Sequence, residues 1–112
     1  MGVNYGWEKF YVALRSAVAS NKSLQERLAS VIMGVNHLQR DSFPNDETWE
    51  HFDSLKKETT KCAARFEGEG TINATTSQMT DEEAHLLLEN AFDLFNDLAE
   101  ADGTENRKIS RK

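Results

Sequence analysis

Apolar residues recur at three- and four-residue steps over four stretches of the chain, the spacing of one face of an α-helix. These stretches predict helices over residues 7–19, 24–38 and 47–66, and a fourth that starts after Thr80 and ends near Gly103. Helices with one apolar face can bury it only against each other. The sequence therefore predicts an all-α fold, a compact bundle of four amphipathic helices.

Polar residues mark where these helices begin and end. Ser23 precedes Glu26 by three residues, and Thr80 precedes Glu83 by three, which is the spacing of a capping box at a helix N-terminus. Pro44 breaks the pattern between the second and third helices because the preceding residue is pushed out of helical dihedrals. Residues 71–79 show no clear periodicity, and we predict a loop with room for one helical turn.

The last residues of the chain differ in composition from the rest. Gly103 is a plausible terminator of the fourth helix, and residues 104–112 contain one aliphatic side chain, Ile109. A segment with so little to bury is typical of a chain end that does not pack. We predict a single helical domain over residues 1–103 and a disordered C-terminal tail over residues 104–112.

Apolar side chains exceed what one helix face can hold at two places. In the fourth helix, Leu86 and Phe92 lie outside the central apolar stripe, which is typical of a helix that is central or that packs against another chain. Near the start of the chain, four aromatic residues are candidate interface anchors: Tyr5, Trp7, Phe10 and Tyr11. The simpler interpretation of these aromatics is that they cover one end of the core.

Charge and composition exclude several classes of protein. The formal net charge of −6 opposes broad binding to phosphate backbones, so we expect no nucleic-acid partner. No apolar stretch is long enough for a membrane span or a signal peptide, so we expect no membrane association and a cytoplasmic location. Cys62 is the single cysteine and cannot form an internal disulfide.

Few residues suggest chemistry. Glu82 and His85 have the i, i+3 spacing of carboxylate-bridged di-iron bundles, but those sites need two such pairs and further glutamates. His37 and His51 fall on other predicted segments, and Cys62 lies on an apolar face where a thiol packs as a small hydrophobic group. We therefore assign no catalytic, cofactor-binding or metal-binding residue and expect no cofactor.

Four short segments carry a resemblance to known proteins: Tyr5-Gly6-Trp7-Glu8-Lys9, Ser23-Leu24-Gln25-Glu26-Arg27-Leu28, Gly68-Glu69-Gly70-Thr71-Ile72 and Met79-Thr80-Asp81-Glu82-Glu83-Ala84. They resemble a family of small, uncharacterised, all-helical bacterial proteins without an established activity. The resemblance implies a bacterial cytoplasmic origin and carries over no functional residue. The Thr- and Asn-rich residues 73–77 depart from the family's pattern.

Three functional hypotheses follow from the sequence. The first is a small, non-enzymatic cytoplasmic interaction or regulatory protein whose partner is another protein or a second copy of itself. The second is a small-molecule or metal-binding enzyme with a site between helices, built from His85, Glu82, His51 and Cys62. The third, based on charge alone, is an acidic inhibitor that mimics nucleic acid.

Overall fold

The computed structural model describes residues 2–110 and the side chains of residues 2–103. Within residues 2–110 the chain forms α-helices and one 3₁₀ turn, and no strand. The elements are α1 (Val3–Ala19), α2 (Leu24–Val35), the 3₁₀ turn (Arg40–Ser42), α3 (Asp46–Thr59), α4 (Gly70–Thr76) and α5 (Asp81–Ser110). The predicted all-α, compact fold is confirmed, while the predicted number of four helices is wrong because the described residues form five.

Helix α1 packs against α2 on one side and α5 on the other. It runs antiparallel to α2, since Tyr5 near its start meets His37, while an ideal Cβ on Gly34 would lie 3.2 Å from the Cβ of Ala13. Gly34 inside α2 therefore lies where the two helices approach each other closely. The core between the helices contains Phe10 and Phe52, whose ring centroids are 6.1 Å apart.

The 3₁₀ turn lies against the first turns of α1 at Gly6. A Cβ at this position would come 2.8 Å from the carbonyl oxygen of Ser42, a distance that real Cβ atoms do not tolerate. The obstacle is backbone, so no side-chain rotation relieves it. Gly6 is therefore required for the contact that joins the α2–α3 connection to α1.

The predicted helix starts are largely confirmed. Thr80 and Glu83 form both bonds of a capping box: the Thr80 N–H donates to Glu83 Oε1 at 3.0 Å, and the Glu83 N–H donates to Thr80 Oγ1 at 3.1 Å. These bonds from Thr80 also hold the pKa of Glu83 below its ordinary value. At Ser23, the hydroxyl accepts from the Glu26 N–H and donates to the Glu26 carboxylate, so the box is completed through the hydroxyl.

The predicted end of the third helix at Phe66 is wrong, because α3 ends at Thr59. The hydroxyls of Thr59 and Thr60 both donate to the carbonyl of Lys56, and Thr59 also donates to that of Leu55. The Cys62 N–H then donates to Thr75 Oγ1 in α4 instead of continuing the helix. Side-chain hydroxyls that occupy the last carbonyls favour termination at this point.

Residues 71–79 were predicted as a loop, and this is also wrong, since Gly70–Thr76 forms helix α4. Ile72, Thr75 and Thr76 of this helix are buried, and the two threonine hydroxyls donate to carbonyls four residues earlier. Threonine has a low helix propensity, so packing against α2 and α3 stabilises a helix that local preference does not indicate.

The predicted end of the last helix at Gly103 is not observed, because α5 continues to Ser110. The side chains of residues 104–110 and all of residues 111–112 lie outside the described part of the chain. The division into a domain of residues 1–103 and a disordered tail of residues 104–112 therefore stays a prediction. None of the helices described is both long and apolar enough to cross a membrane.

Candidate functional site

A surface groove of about 470 Å³ lies between α1 and α5, and we call it the α1–α5 groove. Its floor and walls are mainly apolar, with polar and charged side chains along the rim. The two helices run antiparallel, since Val18 near the end of α1 lies beside His85 near the start of α5. The lining residues are Leu14, Ala17, Val18, Arg27, His85, Leu88, Glu89, Phe92 and Asp93.

Aromatic side chains extend this apolar surface towards the start of α1. The Trp7 ring stacks on Tyr11 with centroids 5.5 Å apart and on Phe95 of α5 at 6.2 Å. Phe92 contacts Phe95 at 5.9 Å, which joins the aromatic cluster to the groove. The result is a continuous apolar strip along the α1–α5 seam, because Trp7, Tyr11, Leu14 and Val18 recur at helical spacing on one flank of α1.

Two side chains of this strip are unusually exposed for their size and chemistry. Val18 is 84% exposed and Phe92 is 55% exposed. Single exposed apolar residues are normal on any protein surface. Two on facing helices, beside half-buried Leu14 and Leu88, form a contiguous patch of the kind that marks interaction sites.

The two helices that form the groove differ in charge. Residues 81–103 of α5 contain eight acidic residues and no Lys or Arg, whereas residues 9–19 of α1 contain Lys9 and Arg15 and no Asp or Glu. Five exposed carboxylates recur at helical spacing and form an acidic stripe on the outward face of α5. The acidic stripe consists of Glu82, Glu89, Asp93, Asp97 and Glu100.

The residues predicted as candidates for chemistry do not converge. His85 lies in the groove with its Nε2 3.2 Å from Glu89 Oε1, while Cys62 lines a different cavity of about 230 Å³. His51 is half-buried on α3, and Glu82 is exposed in the first turn of α5. No group of three or more His, Cys, Asp and Glu side chains in the described part of the chain is placed to hold a metal ion.

The lysine in the cavity beside Cys62 is paired with a carboxylate. This lysine, Lys61, donates to Glu58 at 3.0 Å, and this hydrogen bond raises the pKa of Lys61. A lysine with a raised pKa stays protonated and is a poor proton acceptor or nucleophile near neutral pH. The arrangement is that of an ordinary surface ion pair next to a half-buried thiol.

The groove itself was not predicted from the sequence. Tyr11 and Val18 share helical spacing with Trp7 and Leu14, which predicts that they lie on one apolar stripe of the first helix. The structure instead buries Ala13 and leaves Tyr11 and Val18 exposed. Small residues on the two helices explain this orientation. Ala13 of α1 faces Gly34 of α2, so the small side chains of α1 point towards α2 and its larger apolar side chains point outward. Leu86 and Phe92, placed outside the core stripe by the pattern, are indeed both exposed.

Comparison with protein-family models, curated proteins and solved structures gives no match to this chain. The function of this chain is therefore inferred from the geometry and charge of the α1–α5 groove.

Proposed function

We propose that the protein is a small, non-enzymatic interaction protein of the cytoplasm that binds a helical segment of another protein in the α1–α5 groove. The observation that supports this is the contiguous apolar strip, in which Val18 and Phe92 are exposed on facing helices. A third helix laid on two antiparallel ones is a common way to cover such a surface. The candidates for enzymatic chemistry are dispersed, which gives the enzyme hypothesis less support.

A second copy of this chain is the less favoured occupant of the groove. In a symmetric dimer whose two-fold axis runs across the helices, α5 of one copy faces α5 of the other, and the two acidic stripes come close together. Two carboxylates held about 4 Å apart repel each other by about 1 kcal/mol in water and about 4 kcal/mol near a protein surface. A partner without this negative charge avoids that cost.

Affinity capture with paired variants tests the proposal. The double variant Val18→Gln/Phe92→Gln removes the exposed apolar side chains of the groove without changing charge. The matched control Val12→Gln/Leu86→Gln alters side chains that are 62% and 57% exposed and lie outside the groove. We expect proteins retained by the natural chain and the control, but lost from the groove variant, in quantitative mass spectrometry.

The circular dichroism melts of both variants should match that of the natural chain, because all four positions are exposed. If the groove variant retains every protein that the natural chain captures, the proposal fails. If light scattering shows a dimer that only the groove variant abolishes, the occupant is a second copy and the proposal of a different partner fails.

The acidic stripe supports a second candidate function, inhibition by mimicry of nucleic acid. From Glu82 to Glu100 the stripe spans about 27 Å of helix and contains five carboxylates. Duplex DNA of that length carries about 16 phosphates, so the stripe has roughly a third of the charge density. Release of a captured partner by competing duplex DNA would favour this function over groove binding.

A further inference from the structure

We propose that the occupant of the α1–α5 groove is an amphipathic helix whose apolar stripe is flanked, on the side facing α5, by Lys or Arg. This inference rests on the proposed function and adds the chemistry of the partner. It follows from the length of the apolar strip and from the unequal charge of the two walls.

The length of the strip sets the size of the partner segment. Trp7 and Val18 mark its ends on α1, and this separation of eleven residue steps spans about 17 Å of helix, or three turns. A partner helix of that length presents apolar side chains at i, i+3 or i+4, and i+7 to one groove. Its apolar residues would lie over Leu14, Leu88 and Phe92.

The charge of the walls sets the orientation of the partner around its axis. Glu89 and Asp93 are exposed, belong to the lining of the groove and are one helical turn apart on α5. On the other side, residues 9–19 of α1 contain Lys9 and Arg15 but no carboxylate, and Arg27 of α2 adds a cation to the lining. Cations on a bound helix are therefore favoured towards α5, where opposite charges meet, and disfavoured towards α1.

Two synthetic peptides and two charge variants test this inference. The first peptide is an amphipathic helix of eighteen residues with leucines on one face and four lysines along one flank. The second peptide replaces those lysines by glutamates. The groove variant Glu89→Lys/Asp93→Lys is compared with Glu50→Lys/Glu67→Lys, which changes net charge equally at exposed positions on α3 and in the α3–α4 connection.

Fluorescence anisotropy of labelled peptides gives the affinities. We expect the lysine peptide to bind the natural chain at least about tenfold tighter than the glutamate peptide. The groove variant should reduce binding of the lysine peptide about tenfold, and the control variant should leave it within about twofold. Raising the salt concentration should weaken binding to the natural chain, since the contacts are at the rim.

The outcomes separate this inference from the proposed function. Equal binding of both peptides, or equal effects of both charge variants, would overturn the basic-helix inference. Absence of binding by either peptide would overturn it as well. The proposed function is judged separately, by whether Val18→Gln/Phe92→Gln releases a captured partner while its matched control does not.

Discussion

At the scale of single residues, Glu69 is the acidic side chain most removed from solvent among those described, with 5% of its side chain exposed. It accepts hydrogen bonds from the guanidinium and from the backbone N–H of Arg65, and these bonds hold the pKa of Glu69 below its ordinary value. The same guanidinium also donates to Ser77 at the end of α4. One charged pair thus fixes the connection between α3 and α4.

The lowered pKa of Glu69 predicts a pH dependence of stability. At pH values between the pKa of Glu69 in the folded chain and the ordinary glutamate pKa of about 4.3, the unfolded chain binds more protons than the folded chain. The stabilisation from Glu69 is therefore fully present above pH 4.3 or so and is lost as the pH falls through the folded pKa. In Glu69→Gln, thermal melts between pH 3 and pH 7 should show a weaker decline than in Glu67→Gln, whose parent side chain is exposed. Identical profiles for the two variants would contradict this assignment.

Gly6 allows a test of close backbone packing. Gly6→Ala places a Cβ against the Ser42 carbonyl and should lower the free energy of unfolding by about 1–3 kcal/mol, the usual cost of overpacking. Gly103→Ala is the control, because it lies within α5 with no atom within 4 Å of an added Cβ. The control should be neutral or stabilising by up to about 1 kcal/mol. Urea titrations measure both, and equal stability of the two variants would exclude the steric explanation.

At the scale of elements, the strongly patterned helices were predictable and α4 was not. The starts of α2 and α5 follow from the Ser23 and Thr80 caps, which act locally and leave a signature within four residues. The early end of α3 has a local contribution from the Thr59 and Thr60 hydroxyls. It also depends on Thr75, thirteen residues beyond Cys62, and a bond of that kind has no local signature. The orientation of α1 about its own axis, with Ala13 facing α2, likewise depends on Gly34 in another helix.

The bond that joins the end of α3 to α4 can be tested with two similar substitutions. Thr75→Val removes the acceptor of the Cys62 N–H and should destabilise the fold by about 1–3 kcal/mol through the unmet donor. Thr76→Val is the matched control, since Thr76 is equally buried but its hydroxyl donates only within its own helix, to Ile72. Chemical denaturation should show a larger loss for Thr75→Val, and amide exchange at Cys62 should accelerate in that variant alone.

At the scale of the whole molecule, α5 is the longest of the helices described. One face of α5 packs against the core, and the opposite face carries the acidic stripe. Ala84, Ala91, Leu94 and Leu98 of α5 are buried, while the opposite side of the helix faces solvent with its carboxylates. These four core side chains lie within the predicted domain of residues 1–103.

A chain shortened after Gly103 tests that domain boundary. Residues 104–112 supply one aliphatic side chain, so we expect the melting temperature to fall by less than about 4 °C, equivalent to under 1 kcal/mol. Calorimetry of the shortened and full-length chains measures the change. A loss of several kcal/mol would place these residues inside the folded domain.

The pairing of α1 with α5 has a consequence for synthesis on the ribosome. Residues 20–80 lie between the two helices, so α1 leaves the exit tunnel long before its neighbour is made. Until then Phe10, Trp7 and Leu14 can be covered only in part, by α2 and the segments that follow. The newborn chain is thus most exposed to aggregation or chaperone capture just before its final helix emerges.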